Sequence, residues 1–134
     1  MVKVEIFSDS RYPVNRALVR KAVSDTLSKN KITLGDIEVS VAVVGKRKMR
    51  ELSKKYLQDD LDHEVLAFPY EDLAQMTKGF INPPDEFLRL GDIVLCWPQM
   101  VILAARDESM VEDEVYMLTA HATEHLLGKH HEQV

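Results

Sequence analysis

One cysteine, Cys96, stands among 134 residues, so no intrachain disulfide can form and the fold does not depend on an oxidising compartment. No apolar run is long enough for a membrane span: the longest mostly apolar stretch, Trp97 to Ala105, is short and holds Pro98 and Gln99. The N-terminal residues lack the basic head, apolar stretch and small-residue cleavage site of a secretory signal. A cytoplasmic, non-membrane protein is therefore expected. Internal repeats and low-complexity tracts are missing too, and the length suits a single domain spanning residues 1–134. Positive charge is in deficit, with 17 Lys and Arg against 22 Asp and Glu and a net charge of -5. This argues against a chain that coats nucleic acid by bulk attraction.

The deficit is unevenly spread. Met1 to Leu57 carries 13 basic and 6 acidic side chains, whereas Gln58 to Val134 carries 4 basic and 16 acidic ones. Parts of opposite sign give a dipolar surface with one face able to meet a polyanion.

Val2 to Phe7 alternates as a half-buried strand does, and from Pro13 onward Val14, Ala17, Leu18, Ala22 and Leu27 recur at helical spacing. Ile37 to Val44 reads as a second strand. After Gly45 a short helix is predicted with Met49, Leu52 and Tyr56 on one side and Lys46, Arg47, Arg50 and Lys54 on another. Asp59, Asp60 and Asp62 mark a loop. Val65 to Phe68 is a short strand stopped by Pro69, and a polar segment with Gly79, Pro83 and Pro84 separates it from a strand over Asp92 to Trp97. Pro98 opens a helix to Ala105, and Ser109 with Glu112 forms a capping box for a last helix that ends at Gly128, with Val111, Val115 and Leu118 inward. This order predicts an α+β fold, a mixed sheet of about four strands packed with helices.

Four of the five histidines fall in the last 14 residues. His121 and His125 stand one turn apart on one helical face, Gly128 permits a sharp turn, and His131 follows. Measured from His121 these lie at +4, +7 and +10, the H-E-x-x-H-x-x-G-x-x-H spacing of three imidazoles around a catalytic zinc with one open position. Histidines also gather at helix C-termini without any metal, through the helix dipole. Ala122 occupies the place of the general-base glutamate, which argues against peptide hydrolysis. A metal-bound water is then the expected nucleophile, with no catalytic side chain assigned.

With those residues in view, the chain resembles the YbeY family of bacterial rRNA maturation factors. The family signature H-G-x-L-H-L-x-G-Y-D-H is matched by His121, His125, Leu126, Gly128 and His131; T-D-V-L-S-F-P appears as His63 to Pro69, and L-G-D-I-V-I as Leu90 to Leu95. The resemblance implies an α+β fold and a single-strand-specific metallo-endoribonuclease active in 16S rRNA 3′-end maturation and ribosome quality control. It further implies rRNA and the small ribosomal subunit as partners, zinc as cofactor, and His121, His125 and His131 as its ligands. Ala122, Glu124, Lys129 and His130 depart from the signature, Leu57 stands where many members have a phosphate-contacting arginine, and Ser53 where they have asparagine. The basic face Lys46, Arg47, Arg50 and Lys54 is the alternative supply of RNA-binding cations, or else a solvated helix surface. A second reading is a metal-stabilised, ribosome-associated RNA-binding factor with weak or no turnover.

Overall fold

The computed structural model describes residues 1–32, 35–70 and 88–128. Strand β1 (Val2–Ser8) turns Val2, Val4 and Ile6 toward the core and leaves Lys3, Glu5 and Phe7 outward, as its alternation predicts. Helix α1 (Arg16–Lys29) starts after Pro13, at Asn15, whose side chain accepts the Leu18 N–H at 3.1 Å. Its buried stripe is Val19, Ala22, Val23, Thr26 and Leu27, while Ala17 of the expected stripe faces solvent.

Strand β2 (Ile37–Val44) leads through Gly45 into α2 (Lys46–Tyr56), and the edge strand β3 (Val65–Pro69) precedes β4 (Leu88–Cys96). The sheet order is β1-β2-β4-β3, with β1, β2 and β4 mutually parallel and β3 antiparallel to β4. Pro69 is the last paired residue of β3 rather than its stop, an acceptable place on an edge strand for a residue without an N–H.

Strand β4 begins four residues earlier than the expected Asp92 and ends at Cys96, so Trp97 belongs to the next helix, α3 (Trp97–Arg106). The cause of the early start is a bulge. Leu88 pairs with Ile37 and Arg89 with Glu38, but Val39 pairs with Gly91, leaving Leu90 over. The apolar alternation accordingly changes parity: Leu88 before the bulge, Leu90 in it, and Ile93 and Leu95 after it all enter the same core.

Helix α4 (Val111–Leu126) starts one residue later than the Ser109 box predicts. The N-cap is Met110, whose N–H donates to Asp113 Oδ2 at 3.1 Å, and the Ser109 hydroxyl is occupied by buried Glu114 at 2.7 Å. Val115 and Leu118 are buried as expected, with Val111 half-buried beside them.

Helices α1, α3 and α4 cover one sheet face, meeting Val39, Val41, Ile93 and Leu95; α2 covers part of the other, where Met49 packs on Leu66, Val94 and Cys96. Ile93 and Leu95 alternate with Val94 and Cys96, which fixes these as opposite faces.

Candidate functional site

Helix α4 carries the histidine pair, and its rotation is set by what it buries. Ala122, Thr123, Leu126 and Leu127 point inward, leaving His121 exposed and His125 half-buried on the outer side. The two Nε2 atoms lie 3.0 Å apart and the rings meet edge to face at 4.6 Å between centroids. Two nitrogens bound at tetrahedral angles to one zinc, each about 2.05 Å from it, are separated by about 3.3 Å. The pair therefore fits a shared ion with little adjustment.

Gly128 adopts φ +87° and its N–H donates to the His125 carbonyl at 2.9 Å, so the chain leaves the helix by the sharp turn the spacing predicts. His131 and His130 lie outside the described residues, and among the described residues no cluster of three ligands forms.

Gly91 seats this helix on the sheet. At φ +154° it brings β4 so close to its neighbours that a Cβ would overlap the Phe68 carbonyl oxygen and lie 2.8 Å from Leu126 Cδ2 of α4. Asp92, next to it, accepts hydroxyl hydrogen bonds from Ser40 and, at 2.5 Å, from Tyr70, tying β2, β4 and the end of β3 on the opposite face. That bond also pushes the Tyr70 hydroxyl pKa up.

Ala122, in place of a general base, is a core residue. Glu124 is half-buried and, with His121, Lys29, Asp25 and Tyr116, lines a groove of about 290 Å³ between α1 and α4. Asp25 accepts from Lys21 at 2.7 Å and from Tyr116 at 2.6 Å, and both bonds lower its pKa. His63 is a loop histidine whose Nε2 lies 3.2 Å from both carboxylate oxygens of Asp59.

The four cations of the basic face separate into two pairs. Arg50 donates to Asp62 at 2.8 and 3.3 Å, and Lys54 lies 3.5 Å from Asp60. The acidic loop thus folds back on the C-terminal half of α2, and Arg50 holds the Asp62 carboxyl below the usual carboxylate range. Lys46 and Arg47 instead face a cavity with Arg11, Tyr12 and Lys48. The sequence alone did not single out Arg11, Tyr12 or Lys48; the signal was the parallel pairing of β1 and β2, which brings the residues following each strand together. Leu57, at the arginine position of the resemblance, caps α2 and is 45% exposed without a charge to offer.

A four-strand mixed sheet backed by a C-terminal helix that presents two converging imidazoles defines an α+β protein with a paired-histidine site. The family model described as Endoribonuclease YbeY matches residues 7–134. An Endoribonuclease YbeY of Roseiflexus castenholzii is 31% identical over 133 residues, 99% of this chain and 80% of that one. Proteins of the same name from Dehalococcoides mccartyi and Caldanaerobacter subterraneus are 32% and 34% identical, over 89% and 87% of this chain and 77% and 74% of theirs. The chain belongs to the YbeY endoribonuclease family. Its fold is that of the Thermotoga maritima protein TM1509, solved in solution, with TM-score 0.59 and 21% identity over 98% of this chain and 75% of that one.

Proposed function

We propose that this protein is a zinc-dependent endoribonuclease that cleaves single-stranded RNA, with the 3′ end of 16S rRNA as substrate and maturation and quality control of the small ribosomal subunit in the cytoplasm as its setting. The observation that carries the reading is the convergence of His121 and His125 Nε2 to 3.0 Å in a chain of this family. His131, at +10, is assigned as the third ligand. When bound there, zinc supplies Lewis acidity toward a phosphodiester oxygen and activation of water near neutral pH. His121 and His125 hold the ion, α4 fixes their rings from the core side through Ala122 and Leu126, and the positive end of the molecule at α2 draws the polyanion in.

Purified protein is expected to cut a single-stranded oligoribonucleotide, to lose at least about 100-fold in rate with a chelator or in His121→Ala, and to gain thermal stability on adding zinc only when both histidines are present. Full activity in His121→Ala overturns the proposal. A second reading, a metal-stabilised RNA-binding factor without turnover, draws support from Leu57 and from the pairing of Arg50 to Asp62. RNA binding with zinc-dependent stability but no cleavage would establish it.

A further inference from the structure

Adjacent parallel strands β1 and β2 send the chain to opposite faces of the sheet. After β1 it passes through Asp9 to Asn15 into α1, which packs with Val39 and Val41; after β2 it turns at Gly45 into α2, which packs on Val94 and Cys96. Such a divergence opens a crevice outside the carboxyl ends of the two strands, the place where open sheets of this kind hold ligands. Here the crevice is a cavity of about 520 Å³.

Its lining is cationic. Among the described residues, Arg11, Lys46, Arg47 and Lys48 surround it, against the single carboxylate of Asp9. Asp9 is neutralised within the wall: Arg11 Nε and a terminal guanidinium nitrogen both donate to it at 3.1 Å. Lys48 has a loose partner in Glu51 at 3.9 Å, on the same helix. Lys46 and Arg47 are exposed; among the described residues the lining offers them no second carboxylate, and Asp62, outside the lining, lies within electrostatic reach of Lys46. Tyr12 lies beneath them, its hydroxyl against Gly45 and its ring 5.3 Å from the Arg11 guanidinium carbon. Gly45 also starts α2 without a side-chain cap, which adds the helix dipole to the positive field.

Among the described residues no ring besides Tyr12 lines this cavity, so a chain of phosphates suits it better than a mononucleotide. We propose that the β1–β2 crevice is a backbone-anchoring subsite for single-stranded RNA, in which Lys46 and Arg47 each take a phosphate and Tyr12 forms the floor. It rests on the ribonuclease reading and adds to it a contact on the side of the sheet served by α2, apart from the histidine helix. Arg50 and Lys54, already paired with the acidic loop, lie outside the subsite.

The test uses full-length protein carrying His121→Ala, so that RNA is not consumed, and follows a labelled single-stranded oligoribonucleotide by fluorescence anisotropy across a salt series. Adding Lys46→Ala with Arg47→Ala is expected to weaken binding about 10-fold and to flatten the slope of log affinity against log salt by about 1.4, the loss of two phosphate contacts to a single strand. Arg50→Ala with Lys54→Ala is expected to change affinity less than about 3-fold. Unchanged affinity and slope in the Lys46 and Arg47 variant, or an equal loss in the Arg50 and Lys54 variant, overturns the subsite. Displacement of the label by inorganic phosphate or a mononucleotide as effectively as by unlabelled strand at equal phosphate concentration also overturns it, in favour of a small-anion site. The two readings fail separately: cleavage by otherwise unmodified protein that is indifferent to Lys46 and Arg47 sinks the subsite alone, and Lys46-dependent binding without cleavage sinks the ribonuclease alone.

Discussion

At Gly91 three demands meet: a bulge in β4, close approach of the β3 backbone, and the seat of Leu126 from the histidine helix. Alanine there must adopt a disfavoured φ while its methyl displaces the Phe68 carbonyl and Pro69 Cα, 2.9 Å away. Gly91→Ala is expected to cost about 2–3 kcal/mol, read as a fall in Tm of about 10 °C by calorimetry, with RNA cleavage declining at temperatures where the fold is intact because α4 shifts. A Tm within about 2 °C of the parent would contradict this, a limit set at about a fifth of the expected shift. The Gly91 constraint was legible only in part. The Leu-Gly-Asp block stood out, and the parity change between Leu90 and Ile93 was there to read, but a strand starting at Asp92 hid it. Asp92 itself received no catalytic role from the sequence, and its two hydroxyl partners, Ser40 and Tyr70, account for it structurally.

Among the elements, α2 best separates what pattern can and cannot give. Helical spacing placed Met49 in the core correctly, but it left Tyr56 on the same face, where the structure has it 53% exposed and tilted against Phe68 at 5.1 Å. The basic face was equally plain in sequence, whereas its division into a paired half and a crevice half was not, because ion pairing with a loop depends on where that loop folds. Asp62→Asn should release Arg50 and tighten RNA binding about 2- to 3-fold with a steeper salt slope, a modest change because the pair is exposed. The pH sign follows from the lowered Asp62 pKa: the pair is complete above the ordinary aspartate range and dissolves only as pH falls through the lower folded value. Between pH 6 and 8 the effect of Asp62→Asn should therefore be constant, and an effect that vanishes on raising pH in that range would refute the assignment. For α4, the Ser109 and Glu112 spacing fitted a capping box, but Met110 and Asp113 took the role one residue on, since Ser109 serves buried Glu114.

For the molecule as a whole, the net charge of -5 was misleading until the chain was divided. The positive end gathers at α2 and the crevice, so a modest, salt-sensitive grip on RNA is compatible with an acidic protein. Sequence made the layer architecture legible because apolar periodicity is a property of the whole core; the pairing of His121 with His125 was legible because i and i+4 spacing is local. The crevice was not, since it arises from strands β1 and β2 paired 35 residues apart, Val2 with Ile37. Cys96 gives a reporter on the intact core: it sits fully buried on central strand β4, and desolvation pushes its thiol pKa up. Alkylation by a neutral thiol reagent at pH 8 is expected to proceed at the rate of global unfolding and to accelerate in denaturant together with loss of helical circular dichroism. Rapid labelling of the native protein would place the thiol in a surface opening instead.

The sheet order also sets an order of assembly. Strands β1 and β2 join through one helix, but β2 finds β4 across 51 residues, Ile37 with Leu88, after α2 and β3 have been made. Closing so long a loop is slow relative to local helix formation, so β4 should enter late on the folding path. Helix α4 can draw its two imidazoles together early, as a local event of about a microsecond. It has no seat until Gly91 arrives beneath Leu126, so RNA-cleaving competence should emerge only in the last kinetic phase, after most helical signal has already been recovered.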